Sequence, residues 1–223
     1  MAGPIERPDG ALPAVSALIE LQRRLAERVV IEDDLPAKIR TVAGVDAAFP
    51  DGGQTTRAAV VLMAYPGLET LDEAVAERPT RLPYIPGLLS FRELPAILAA
   101  LEQLGSVPDL VLCDGQGIAH PRRFGVACHL GVETGLCTIG IGKSRLCGSA
   151  SEPGSLQGAC SSLTDQGETI GSLLRTRSGV RPVIVSSGHR VSLESALRLA
   201  LDCTPRYRLP EPIRAADRLA GTR

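Results

Sequence analysis

Between residues 39 and 77 the chain sets three apolar runs one after another, joined by tight turns that leave no room for a helix. Residues 39–49 lead through Pro50-Asp51-Gly52-Gly53 into residues 55–65, and Pro66-Gly67 then leads into residues 68–77. Turn residues between apolar runs of this length predict three hairpin-linked strands, an antiparallel meander. Beyond the meander the character changes, and apolar runs alternate with helical spacing. Residues 107–113 are a strand candidate, 122–135 a helix, 137–142 and 182–185 further strands, and Ser192 N-caps a helix through Leu201. A doubly wound dinucleotide fold would alternate from its start and is excluded by this order.

A meander followed by strand–helix units is the order of a ribonuclease-H-like α/β fold. The expected architecture is a mixed central sheet, antiparallel meander then parallel strands, flanked by helices. Ahead of it, Leu18, Leu21, Leu25 and Val29 give residues 14–31 the spacing of an amphipathic helix. Residues 88–104 form another, with Pro95 tolerated or kinking it. The Ser- and Gly-rich stretch 149–167 is expected as a surface hairpin or loop, and the tail through Asp217 as a short helix. The Pro- and Gly-containing residues 1–11 are expected to be a flexible arm, with residues 12–223 as a single domain of ribonuclease-H-like fold.

Composition narrows the function classes. A formal net charge of −1 gives no global basic field, so any polyanion must be held by charge local to a groove. The six cysteines include no C-x-x-C pair, which argues against a zinc site and for reduced thiols. With no secretory signal and no stretch of membrane-spanning length, a cytoplasmic monomer is expected.

The stretch from Asp109 to His129 carries the densest chemistry. Its strand stops at Asp114, Gly115 and Gly117 allow a turn and close backbone approach, and His120 precedes the helix. Open α/β sheets build sites at such strand ends, although an Asp before a Gly also simply caps turns. Asp46 lies inside the apolar run Val42-Ala-Gly-Val-Asp-Ala-Ala-Phe49, where a carboxylate must be paired, hydrogen-bonded or metal-bound unless it points to solvent from an edge strand. Glu93 sits on the first turns of the helix over 88–104, where a solvated face is the plain alternative. Converging, the three would form an oxygen-rich site for Mg²⁺ or Mn²⁺, and two such ions ~4 Å apart would suit phosphoryl transfer.

Other motifs fail on inspection. Gly142-Lys143-Ser144 invites a phosphate-loop reading, but the first glycine of that motif would be at position 137, which is Cys137. Lys143 is therefore a cation at a strand end, whether functional or an ordinary surface lysine. No Gly-x-Ser-x-Gly turn supports a serine hydrolase. His189 reads as a loop histidine bonding to backbone. Tyr84, held between Pro83 and Ile85-Pro86 in a chain with 3% aromatics, is either turn filler or a stiffly presented wedge for a duplex.

Taken together the blocks Gly44-Val-Asp46, Pro83-Tyr-Ile-Pro-Gly-Leu-Leu-Ser-Phe-Arg-Glu93, Asp114-Gly-Gln-Gly-Ile-Ala-His120, Gly140-Ile-Gly-Lys143, Ser187-Gly-His-Arg190 and Tyr207-Arg-Leu-Pro-Glu-Pro212 resemble the endonuclease V family. The resemblance runs in order from about residue 20 almost to the end. It implies a Mg²⁺-dependent DNA repair endonuclease, with Mn²⁺ able to substitute, that recognises deoxyinosine and cuts 3′ to it, leaving a 3′-hydroxyl and a 5′-phosphate. It implies Asp46, Glu93 and Asp114 as metal ligands, Asp217 in the last helix as a further one, and Lys143 and His120 in support. Pro83, Tyr84, Ile85 and Pro86 would form the wedge, and backbone around Leu89, Gly115, Gly125 and Val126 the base pocket. Alternatives are an inosine-specific endoribonuclease on single-stranded RNA and the nuclease half of the excision nuclease C subunit, which should lack the Pro-Tyr-Ile-Pro block. A non-enzymatic lesion reader is a third, though it has no need of clustered acids.

Overall fold

A computed structural model describes residues 14–221; the arm expected over residues 1–11 lies outside them. Helix α1 (Val15–Ala26) is followed by strands β1 (Thr41–Ala48), β2 (Thr55–Ala64) and β3 (Thr70–Pro79). These pair antiparallel in chain order, as the meander predicts. Next come α2 (Leu89–Leu101), β4 (Leu110–Asp114), α3 (Val126–Thr134) and β5 (Thr138–Gly142). Strands β6 (Cys160–Asp165), β7 (Glu168–Leu174) and β8 (Val183–His189) precede helices α4 (Leu193–Asp202) and α5 (Glu211–Gly221).

The eight strands form one mixed sheet in the order β3-β2-β1-β4-β5-β8-β7-β6. Strands β1, β4 and β5 run parallel at its centre, and β8, β7 and β6 extend it antiparallel. The Ser- and Gly-rich stretch 149–167 is irregular up to Ala159 and then forms β6, one arm of a hairpin whose other arm, β7, lies beyond it and stitches it into the sheet edge. Helix α3 starts at Val126, four residues later than its periodicity suggests, because Arg122 to Gly125 are held in turns: the Arg123 N–H donates to the His120 carbonyl and the Gly125 N–H to that of Gly117. Ser192 caps α4 as expected, its hydroxyl accepting from the Ser195 N–H at 3.2 Å.

Alternation along the central strands divides the core. Val42, Leu110, Leu112, Ile139 and Ile141 face α4 and α5, packing with Leu199, Ile213 and Ala216. Ala43, Val45, Val111 and Cys113 face the other way, against Leu94 and Ile97 of α2 and Leu130 of α3. Helix α1 forms an outer layer over α2 and α3, with Leu18 on Leu82, Leu88 and Phe91, and Leu25 on Phe124 and Cys128. Among the described residues no helix is long and apolar enough to cross a membrane.

One contact fixes where the last helix lies. An added Cβ at Gly44 would stand 2.1 Å from both the carbonyl carbon and oxygen of Pro212, so α5 rests directly on the β1 backbone. That approach carries Asp217 over the ends of the central strands.

Candidate active site

Side-chain period and parallel register assemble the site before any chemistry is considered. On β1, Val42, Gly44 and Asp46 share the face covered by α5, and on β4 so do Leu110, Leu112 and Asp114. Val45 pairs with Cys113, which sets Asp46 and Asp114 side by side at the carboxyl ends of adjacent parallel strands. Lys143 follows the next strand, two residues beyond Ile141, the partner of Asp114. Helix α5 supplies Asp217 from above. One carboxylate oxygen from each of Asp46, Asp114 and Asp217 lies within 4.8 Å of the others. Lys143 Nζ is 2.5 Å from Asp114 Oδ2 and 3.8 Å from Asp217 Oδ1.

Glu93 approaches from the opposite face, on α2, and is buried. It is outside the tight trio, yet its carboxyl feels it: burial, then the Asp46 and Asp114 charges, push it up to about 8. Burial and the neighbouring Asp114 raise Asp46 to about 7. Asp114 is also raised by burial, with Lys143 opposing. Carboxylates crowded this closely, with one lysine against them, are held in a poor state for isolated acids and a good one for a divalent cation. The donor set is all oxygen, as hard cations such as Mg²⁺ or Mn²⁺ require, and the residues present fit such an ion.

A consequence for stability follows from the signs. Asp46 and Glu93 keep their protons in the folded chain to about pH 7 and 8, while an unfolded chain has released them from ordinary values of 3.8 and 4.5. The folded state then binds more protons than the unfolded one, so stability without metal falls as pH rises across that interval. A cation bound to the ionised carboxylates reverses the trend. Thermal melts in EDTA should therefore drop from about pH 5 to about pH 8.5, and the gain on adding Mn²⁺ should widen over the same range. A flat profile in EDTA would mean the carboxylates are not coupled as described.

The other expected residues group around a second feature. Tyr84 is 67% exposed on the loop before α2, between Leu82 and Leu88, which are buried against Leu18 and Phe91. Pro83 and Pro86 are exposed beside it and Ile85 is half-buried, so the ring is presented from an anchored base. His120 is not among the carboxylates. Its Nδ1 accepts from the Arg122 N–H at 3.1 Å, its ring bonds the Gly87 backbone, and burial followed by the Arg122 charge lowers it to about 4. Gly115, with φ +149°, lies where a Cβ would stand 2.6 Å from Val126 Cγ1, and Gly125 packs its Cα face on the Gln116 carbonyl. These three therefore form one wall; Leu89 lies exposed at the start of α2. His189 accepts from the Val30 N–H through Nδ1 at 3.2 Å, the backbone role its sequence suggested.

Sequence reasoning missed Gln22. It is fully buried on α1, donates to the carbonyls of Gly87 at 3.0 Å and Phe124 at 2.8 Å, and accepts a short bond from Arg122 Nε. Arg122 in turn donates to the Gly87 carbonyl at 2.7 Å. Gln22 thus ties the Tyr84 loop to the turn after β4. The only sequence signal was a polar residue on the apolar side of an amphipathic helix.

Comparison with known proteins shows the family. The family model for endonuclease V matches residues 23–218. The endonuclease V of Azotobacter vinelandii is 58% identical over 203 residues, covering 91% of each chain. The crystal structure of endonuclease V from Streptomyces avermitilis superposes with a TM-score of 0.89 at 43% identity, over 97% of this chain and 95% of that one. That of Ciona intestinalis endonuclease V, in complex with DNA containing an inosine followed by a ribo-adenosine, does so with a TM-score of 0.80 at 25% identity, over 92% and 95%. The matches span most of the chain, and the chain belongs to the endonuclease V family of metal-dependent nucleases that hydrolyse phosphodiester bonds.

Proposed function

We propose that this chain is a Mg²⁺-dependent repair endonuclease that recognises deoxyinosine and hydrolyses a phosphodiester bond 3′ to it, leaving a 3′-hydroxyl and a 5′-phosphate. The observation that carries the reading is the convergence of Asp46, Asp114 and Asp217 with Lys143 at three neighbouring strand ends. The inosine-containing DNA bound by the Ciona relative supports the choice of lesion. Asp46, Asp114 and Asp217 would hold the ion, with Glu93 behind them; when bound, it activates water and neutralises charge developing on the departing oxygen.

This chain's own residues do the rest. Lys143, kept charged by Asp114, offers a cation to a non-bridging phosphate oxygen at the edge of the trio. The wall of Gly115, Gly125 and Val126, where the glycines let Val126 and the Gln116 carbonyl pack close, would offer its backbone to a flipped base. His120 is a positioning residue: neutral and bonded through its ring to Arg122 and Gly87, it fixes the Tyr84 loop. Tyr84 occupies the space the flipped base leaves.

Tyr84→Ala should weaken lesion binding to duplex by about tenfold to a hundredfold, the scale of a lost base–aromatic stack of roughly 1–3 kcal/mol. The loss should shrink on single strands, where flipping costs least. Equal losses on both would make the ring a stacking platform, and no loss would return it to turn filler.

The reading as a whole is tested by incision of a duplex carrying one deoxyinosine, with fragment ends mapped, beside the matching inosine RNA. A nick 3′ to the deoxyinosine, requiring added Mg²⁺, is expected. Cleavage confined to the RNA would make the protein an inosine-specific ribonuclease instead.

A further inference from the structure

A chain of net charge −1 carries its positive charge unevenly. Beside the carboxylate trio opens a groove of about 620 Å³ whose charged lining is Lys143, Arg145, Arg181 and Arg208 against the single acid Glu152. That acid is already engaged, with Oε1 2.7 Å from Arg175. Arg208 is built into the groove: its Nε donates to the Arg181 carbonyl at 3.0 Å, and its terminal nitrogen to the carbonyls of Lys143 at 3.1 Å and Pro182 at 3.0 Å. It joins the Lys143 strand end to the start of β8 and holds a fixed charge there. The Arg181 charge opposes that of Arg208, and no carboxylate pairs with Arg181 or Arg145 among the described residues. Like charges gathered in a groove whose one lining acid is already paired focus field on an anion from outside. A space of this volume takes a ligand of many atoms, not a lone ion.

We propose that this groove receives the phosphodiester backbone of the substrate strand as it leaves the carboxylate trio, Arg145 and Arg181 each neutralising one phosphate. The proposal rests on the nuclease reading above. Lys143 links the two regions, since it lines the groove and touches Asp114. Phosphate contacts of this kind hold the strand in register and carry no base information. The lesion is read elsewhere, by the Tyr84 loop and the glycine wall.

The test is equilibrium binding of duplexes with one deoxyinosine or its undamaged match, across a salt series in EDTA so that no strand is cut. Wild type, Arg145→Ala, Arg181→Ala and the double variant are compared. Each alanine should reduce the slope of log affinity against log salt by about one, and the pair by about two. Preference for the lesion should stay within about twofold of wild type, since phosphate contacts weaken all sequences alike. Arg145→Lys and Arg181→Lys should keep the wild-type slope, which a packing role would not predict. Unchanged slopes in the alanine variants overturn the groove while leaving the nuclease reading intact. Wild type with no preference for deoxyinosine would instead overturn the lesion reading, whatever the slopes.

Discussion

Asp114→Ala should cut strand cleavage by on the order of a thousandfold or more, the scale lost when a reaction centre loses a key electrostatic group. Asp114 is the residue that both Asp46 and Lys143 face, so its loss removes one anionic donor and frees the lysine. Lesion binding in EDTA should survive, because the Tyr84 loop comes from another segment and truncating the Asp114 side chain leaves the Gly115 backbone in place. Stability gives an independent reading. The Asp114 charge raises Asp46, so its removal relieves repulsion in the metal-free protein. The melting temperature in EDTA at pH 8 should hold or rise, and the gain on adding Mn²⁺ should largely vanish. Cleavage within about threefold of wild type would remove Asp114 from the site.

Gly44→Ala should destabilise the fold by about 3 kcal/mol or more, the upper end of what overpacking costs. The added methyl would stand 2.1 Å from Pro212 backbone and 2.6 Å from Ile213 N, far inside the ~3.5–4 Å of ordinary carbon contacts. Backbone lies on both sides, so no rotamer change relieves the clash. Helix α5 must lift from β1, and Asp217 lifts with it. Urea unfolding should show the loss, and incision at low temperature, where the variant remains folded, should fall beyond the unfolded fraction. Stability within about 0.5 kcal/mol of wild type, the range of neutral surface changes, would contradict the packing argument.

The two variants mark what was legible in the sequence. Asp114 and Asp46 could be read because each breaks an apolar strand, and a strand-end carboxylate announces itself locally. The meander could be read from its turns, and α4 from Ser192. Gly44 could not: nothing within β1 says that Pro212, far along the chain, lies against it. Asp217 entered through family resemblance alone, since an acid on an amphipathic helix looks like any solvated residue. Gln22 hid in the same way, a buried polar whose partners come from the Gly87 and Phe124 backbone. The direction of β8 was hidden too, because strand order and sense follow from connections and not from composition. Strand β7 was overlooked where Gly171 and Ser172 interrupt its apolar pattern.

The central claim is that Asp46, Asp114 and Asp217 act together as one cation site for phosphodiester hydrolysis. Mn²⁺ binding, measured at pH 8 alongside incision of the deoxyinosine duplex on the same samples, tests it most directly. Wild type should bind the ion and cut, while Asp46→Asn, Asp114→Asn and Asp217→Asn should each lose affinity and cleavage together. Undiminished Mn²⁺ affinity in all three variants, or full incision by wild type in EDTA, would contradict it.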